Sequence, residues 1–79
     1  SMAEASITER VIDTIAKTQH IPPESIKPDS TFAELKIDSL DGLQILFALE
    51  EEFNISIPDD EAKKLQSIDQ VIKGIEALL

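Results

Sequence analysis

Cysteine, tryptophan and tyrosine are absent from this chain of 79 residues, histidine occurs once and glycine twice. Without cysteine there is no disulfide, no thiolate nucleophile and no cysteine-ligated zinc or iron–sulfur site. The lone histidine, His20, gives little material for a metal centre or a general base, so no metal site and no catalytic residue are expected. No apolar run is long enough to span a membrane and no basic-then-apolar leader opens the sequence, which makes a cytoplasmic protein the expectation. Positive charge is scarce as well: 7 Lys and Arg face 16 Asp and Glu, for a net charge of -9. That balance repels phosphate backbones and anionic lipid surfaces, so nucleic acid and membranes are poor partners and basic protein surfaces are good ones. At this length a single domain over residues 1–79, monomeric and marginally stable, is expected. Ser1 ahead of Met2 reads as an expression scar and stays outside the fold argument.

What is present is helix-forming. Leu, Ile, Ala, Glu, Lys and Gln predominate, and the pattern predicts an all-α fold, a small four-helix bundle of three longer helices and one short one. Ser6 with Glu9 forms a capping box, and Ile7, Val11, Ile12 and Ile15 carry helix one to about Lys17. From His20 to Ile37 the periodicity lapses across Pro22, Pro23 and Pro28. A loop this long in so small a domain must be pinned, and Ile21, Ile26, Phe32 and Leu35 are the candidates, the last two on a turn capped by Thr31 with Glu34. Helix two is expected from Asp38 or Ser39 to Phe53, with Asn54 as its stop. Asp59, Asp60 and Glu61 open a short helix three. Ser67 with Gln70 makes a further capping box, ahead of Ile68, Val71, Ile72, Ile75 and Leu78 on helix four.

Helix two has two apolar faces. At roughly 100° per residue from Leu40, the side chains of Ile45, Leu46, Leu49 and Phe53 gather at about 140 to 240°, whereas Leu40, Leu43 and Phe47 gather at about 300 to 360°, with Gln44, Glu50 and Glu51 beside them. One helix cannot turn both faces to one small core. The longer first stripe belongs inside, which leaves the second as an exposed apolar patch rimmed by carboxylates, the signature of a docking surface. Between Asp38 and Glu61 lie 8 acids and no Lys or Arg, so self-repulsion relieved by salt is expected there.

Ser39 stands where a loop enters this helix. By spacing it is an N-cap or first-turn residue. A nucleophilic role needs a base and an oxyanion hole, and the sequence offers neither a G-x-S-x-G elbow nor a histidine nearer than His20. The helix N-terminus does favour an anionic substituent, such as a phosphodiester on Ser39. An EF-hand is excluded, because Asp38 lacks oxygen ligands at the third and fifth loop positions and a glycine at the sixth.

The stretch Phe32-Ala33-Glu34-Leu35-Lys36-Ile37-Asp38-Ser39-Leu40-Asp41, then Ala48-Leu49-Glu50-Glu51-Glu52-Phe53 and Ile57-Pro58-Asp59, closely resembles the acyl carrier proteins of fatty acid and polyketide synthesis. The tripeptide D-S-L alone is weak evidence, but together with A-L-E-E-E-F and I-P-D at family spacing it is strong. The resemblance implies a bundle in which Ser39, flanked by Asp38 and Leu40, carries 4'-phosphopantetheine installed from coenzyme A by a phosphopantetheinyl transferase. The carrier is then no enzyme. It holds acyl intermediates as thioesters and presents them to acyl-loading and synthase enzymes with basic docking patches. By resemblance the partner-binding residues are Leu40, Asp41, Leu43, Gln44, Phe47, Glu50 and Glu51. An acyl chain would be sheltered by Ile45, Leu46, Leu49, Phe53, Ile57, Ala62, Leu65 and Val71.

Three departures from the family pattern point to a dedicated carrier of a specialised pathway. Lys36 stands where the family usually has glycine, in a loop one residue shorter than in housekeeping carriers. Gln44 replaces a common glutamate, and Gly42 replaces a larger residue that the angular count puts on the core side. Two alternatives are a peptidyl or aminoacyl carrier and a helical adaptor that binds basic partners without a prosthetic group.

Overall fold

A computed structural model describes residues 5–79. It contains helices α1 (Ile7–Gln19), α2 (Ser39–Phe53), α3 (Asp59–Ala62) and α4 (Ile68–Leu78), with one 3-10 turn at Pro23–Ser25 and no strand among these residues. The four expected helices are all there: α1, α2 and α4 each begin at a side-chain cap and continue on an apolar period that has a partner to bury it, whereas α3 starts after Pro58 with no side-chain cap and fully buries no residue. α1 opens on the reciprocal box of Ser6 and Glu9 and ends at His20, which adopts a left-handed φ of 57°. It therefore runs two residues past Lys17, and Ala16 joins its buried face. α2 ends at Asn54, again left-handed at φ 53°, and Asn is among the residues that tolerate that region best.

The core is formed by Val11 and Ile15 of α1, Ile45, Leu49 and Phe53 of α2, and Ile68, Val71, Ile72 and Ile75 of α4, with Ile26, Ile37 and Ile57 from the connections. Leu46, assigned to the interior by its angle, is only partly buried, and Leu78 is exposed at the last residue of α4. Full burial of an aliphatic side chain contributes about 1.5 to 3 kcal/mol, so this cluster supplies the main drive to fold. Gly74 lets α4 approach α3's neighbour: a Cβ there would stand 3.1 Å from the Cδ2 of Leu65.

The long first connection is held by more than its apolar side chains. Ile26 is buried, and Ile21, Phe32 and Leu35 pack against the core as expected. A backbone clasp adds to them: the Phe32 N–H donates to the Gln66 carbonyl at 3.1 Å and the Ile68 N–H to the Ser30 carbonyl at 3.0 Å, either side of an antiparallel bridge between Thr31 and Ser67. Ser30 is buried here, and its hydroxyl accepts from the Lys27 N–H. The Thr31–Glu34 turn forms as predicted, with each residue's side chain accepting from the other's N–H. Ser67 does cap α4 by accepting from the Gln70 N–H, but the expected box is not closed. The Gln70 amide oxygen instead accepts from the N–H of Gln66, the residue just before the cap.

Candidate functional site

Asp38, not Ser39, is the N-cap of α2. Its carboxylate accepts from the Asp41 N–H at 2.8 Å, and the Asp41 carboxylate accepts from the Asp38 N–H at 3.2 Å. Ser39 is thus the first helical residue, exposed, with no capping task for its hydroxyl. The helix end is also less inviting to an anion than the sequence suggests. Two carboxylates already sit in the first turn, leaving the N–H groups of Ser39 and Leu40 as the unclaimed donors.

Ser39 stands at the mouth of an open cleft of about 910 Å³ between α2, the clasped loop and the segment joining α3 to α4. Its apolar wall includes Ile45, Leu46, Leu49, Ala62, Leu65 and Val71, six of the eight residues expected to shelter a chain. Phe53 and Ile57 are buried but do not line it. Phe53 lies at the far end of α2, where the Arg10 guanidinium stands 4.3 Å from its ring centre. Sequence reasoning missed Thr31, Phe32, Ile37, Gln66, Ser67 and Gln70 on the cleft wall. Phe32 and Ile37 were legible as apolar residues needing cover, but the polar ones arrive through the clasp and carry no local signal. Gly42 lines the cleft rather than the core, and a Cβ there would meet nothing within 4 Å. It shares that wall with Ile45, Leu46 and Leu49, on the side of the helix that the angular count gave it, and the packed core does not reach as far as this first turn of α2.

The outer face of α2 is as exposed as its period requires: Leu40 is 66% accessible, Leu43 45% and Phe47 59%. Gln44 and Glu51 are exposed beside them. Asp41 and Glu50 are not free in the same way. Asp41 closes the cap, and the Glu50 carboxylate is half-buried, accepting at 2.7 Å from the N–H of Ile57 in the α2–α3 connection. Glu52 turns to α1, paired with Arg10 at 2.9 Å, while Arg10 also donates to the Glu52 carbonyl. Glu61 pairs with Lys64 at 3.6 Å. The acidic half is therefore less uncompensated than its residue count implies. Among the described residues no group of three His, Cys, Asp or Glu is placed to hold a metal ion, and no helix is long and apolar enough to cross a membrane.

A family profile described as "Phosphopantetheine attachment site" matches residues 9–75, most of the chain. Over 75 residues the chain is 42% identical to an acyl carrier protein of Thermosynechococcus vestitus and 40% identical to one of Chlorobium phaeobacteroides, covering 94% of this chain in each case and 93% and 96% of those relatives. The chain belongs to the acyl carrier protein family. It is also 44% identical over 72 residues to a mitochondrial acyl carrier protein of Dictyostelium discoideum, of whose length it spans 60%. An acyl carrier protein is a carrier and not an enzyme, and its cofactor is phosphopantetheine. Its partners are a phosphopantetheinyl transferase and acyl-handling enzymes.

Proposed function

We propose that Ser39 is the attachment point of 4'-phosphopantetheine, with Asp38 and Leu40 framing it. One observation carries this reading: the Ser39 hydroxyl is exposed at the cleft mouth and free of the capping role that Asp38 has taken. The group fits sterically, because the first turn of α2 faces open space at Ser39 and at Gly42. Electrostatically the fit is neutral at best. Asp38 and Asp41 oppose the charge of a phosphodiester, so attachment depends on recognition by the transferase and not on a ready-made anion site. When bound, the group supplies a terminal thiol on which an acyl group is carried as a thioester.

The chain's own residues then do two things. Ile45, Leu46, Leu49, Ala62, Leu65 and Val71 offer apolar cover along the cleft, and the outer face of α2 offers Leu40, Leu43 and Phe47 to the enzymes that load and process the acyl group. Basic patches on those enzymes complement the acidic half of the carrier. The pathway reading is a fatty acid, polyketide or specialised acyl route, with Lys36, Gly42 and Gln44 favouring a dedicated one. The test is intact mass after incubation with a broad-specificity phosphopantetheinyl transferase and coenzyme A. The wild-type chain should gain one pantetheine mass and Ser39→Ala none. A gain on Ser39→Ala would move the site, and no gain on the wild type would favour a helical adaptor.

A further inference from the structure

We infer that the cleft beside Ser39 selects an acyl group bearing oxo or hydroxyl oxygens over a saturated chain, with the side-chain amides of Gln66 and Gln70 making the choice. This rests on the reading of Ser39 as the attachment point and deepens it by naming the class of cargo. The cleft measures about 910 Å³, within the range that takes a small organic ligand, and its walls differ in chemistry. α2 contributes Ile45, Leu46 and Leu49. The α3–α4 segment and the first turn of α4 contribute Gln66, Ser67 and Gln70, and the clasped loop adds Thr31.

These polar groups are not equally free. Thr31 is spent, because its hydroxyl donates to the Glu34 carboxylate and accepts from the Glu34 N–H. The Ser67 oxygen accepts from the Gln70 N–H and keeps its own proton to donate. The Gln70 amide oxygen accepts from the Gln66 N–H at 2.9 Å, an orientation that is forced, since a backbone N–H can bond only to the oxygen. Both protons of the Gln70 amide nitrogen are thereby left over. Among the described residues the Gln66 side chain has no hydrogen-bond partner, while its backbone is fixed on both sides, the N–H by Gln70 and the carbonyl by the Phe32 N–H. What remains on this wall is weighted towards donors on a backbone already held in place. Donors of that kind match carbonyl and hydroxyl oxygens. A saturated chain lying between the walls would cover the amides without replacing the water they lose, whereas an oxygenated chain lays its methylenes on α2 and its oxygens on Gln66 and Gln70.

The apo chain is loaded by a broad-specificity phosphopantetheinyl transferase from octanoyl-, 3-hydroxyoctanoyl- or 7-oxooctanoyl-coenzyme A. Thioester cleavage by hydroxylamine is then timed against the same acyl group on free pantetheine, which removes differences in intrinsic reactivity. A single hydrogen bond corresponds to roughly a fivefold preference, so at least one oxygenated chain should be protected about that much more than octanoyl. The side-chain amide protons of Gln66 or Gln70 should also move downfield under that cargo and not under octanoyl. Gln70→Glu keeps an oxygen for the Gln66 N–H but has no N–H to give, and Gln66→Leu removes a side chain with no bond to lose. The double variant should lose the preference, and Gln66→Leu should shelter octanoyl better than the wild type does. Circular dichroism checks that each variant keeps its helices. The inference is overturned by a wild type that protects octanoyl as well as both oxygenated chains, or by a preference that survives in the double variant; either result leaves Ser39 as the loaded residue. If the chain takes up no pantetheine at all, the attachment reading falls and this inference with it.

Discussion

At the starts of α1 and α4 a serine hydroxyl caps the helix, Ser6 accepting from Glu9 and Ser67 from Gln70; at the start of α2 the serine stands one residue further in and an aspartate caps instead. The difference of one position changes what the hydroxyl is for. Ser6 and Ser67 are occupied by backbone N–H groups, and their removal costs stability. Ser39 has been relieved of that duty by Asp38, so its hydroxyl can be given to a covalent partner without unseating the helix. Ser39 is set apart from Ser6 and Ser67 by its neighbour, because the residue before it takes the cap.

The largest effect that tests this contrast is a crossed pair. Ser39→Ala should lose all phosphopantetheine loading and change the unfolding free energy by less than about 0.5 kcal/mol, because an exposed residue without partners is removed. Ser67→Ala should load normally and lose about 1 kcal/mol, read from a urea midpoint. A stability loss in Ser39→Ala equal to that of Ser67→Ala would show that Ser39 shares in capping. Next comes the cap itself. Asp38→Ala removes the side chain that accepts from the Asp41 N–H and should destabilise by about 1 kcal/mol, whereas Asp38→Asn should recover most of it, since Asn and Asp cap almost equally well.

Lys36 provides a smaller change of opposite sign. Its φ of 60° lies in the left-handed region, two residues before the Asp38 cap, where a Cβ is strained and glycine is not. Lys36→Gly should stabilise by about 0.5 kcal/mol, the relief of strain exceeding the added freedom of the unfolded chain. A fall in the denaturation midpoint would mean that the lysine stem supports the loop. The smallest effect lies at the Thr31–Glu34 turn. Hydrogen bonds from the Thr31 N–H and hydroxyl hold the Glu34 carboxyl below the ordinary glutamate value. Its contribution is therefore present above that value and fades as pH falls through the lowered one. Protection of the Thr31 amide should decline on acidification in the wild type, and Glu34→Gln should flatten that decline. A profile identical in both chains would remove Glu34 as its source.

Much of this protein is written locally. The Ser6–Glu9, Thr31–Glu34 and Asp38 signals, the stop at Asn54 and the apolar periods of α1, α2 and α4 lie within a few residues of the groups they organise, and capping and period are short-range physics. The split of α2 into a buried and an exposed face followed from angle and stripe length alone, and the motif around Ser39 named the family. Other features were decided only when distant segments met. The clasp of Ser30 and Phe32 with Gln66 and Ile68 lays polar residues along the cleft. Glu50 is drawn inward by Ile57, and Glu52 by Arg10, which thins the free charge of an apparently uniform acidic helix. Local pattern fixes where a backbone turns and which side of a helix is apolar, because those depend on neighbours in the chain. Which carboxylate remains free, and which wall a cleft acquires, depends on donors supplied across the fold, and no spacing along the sequence encodes their approach.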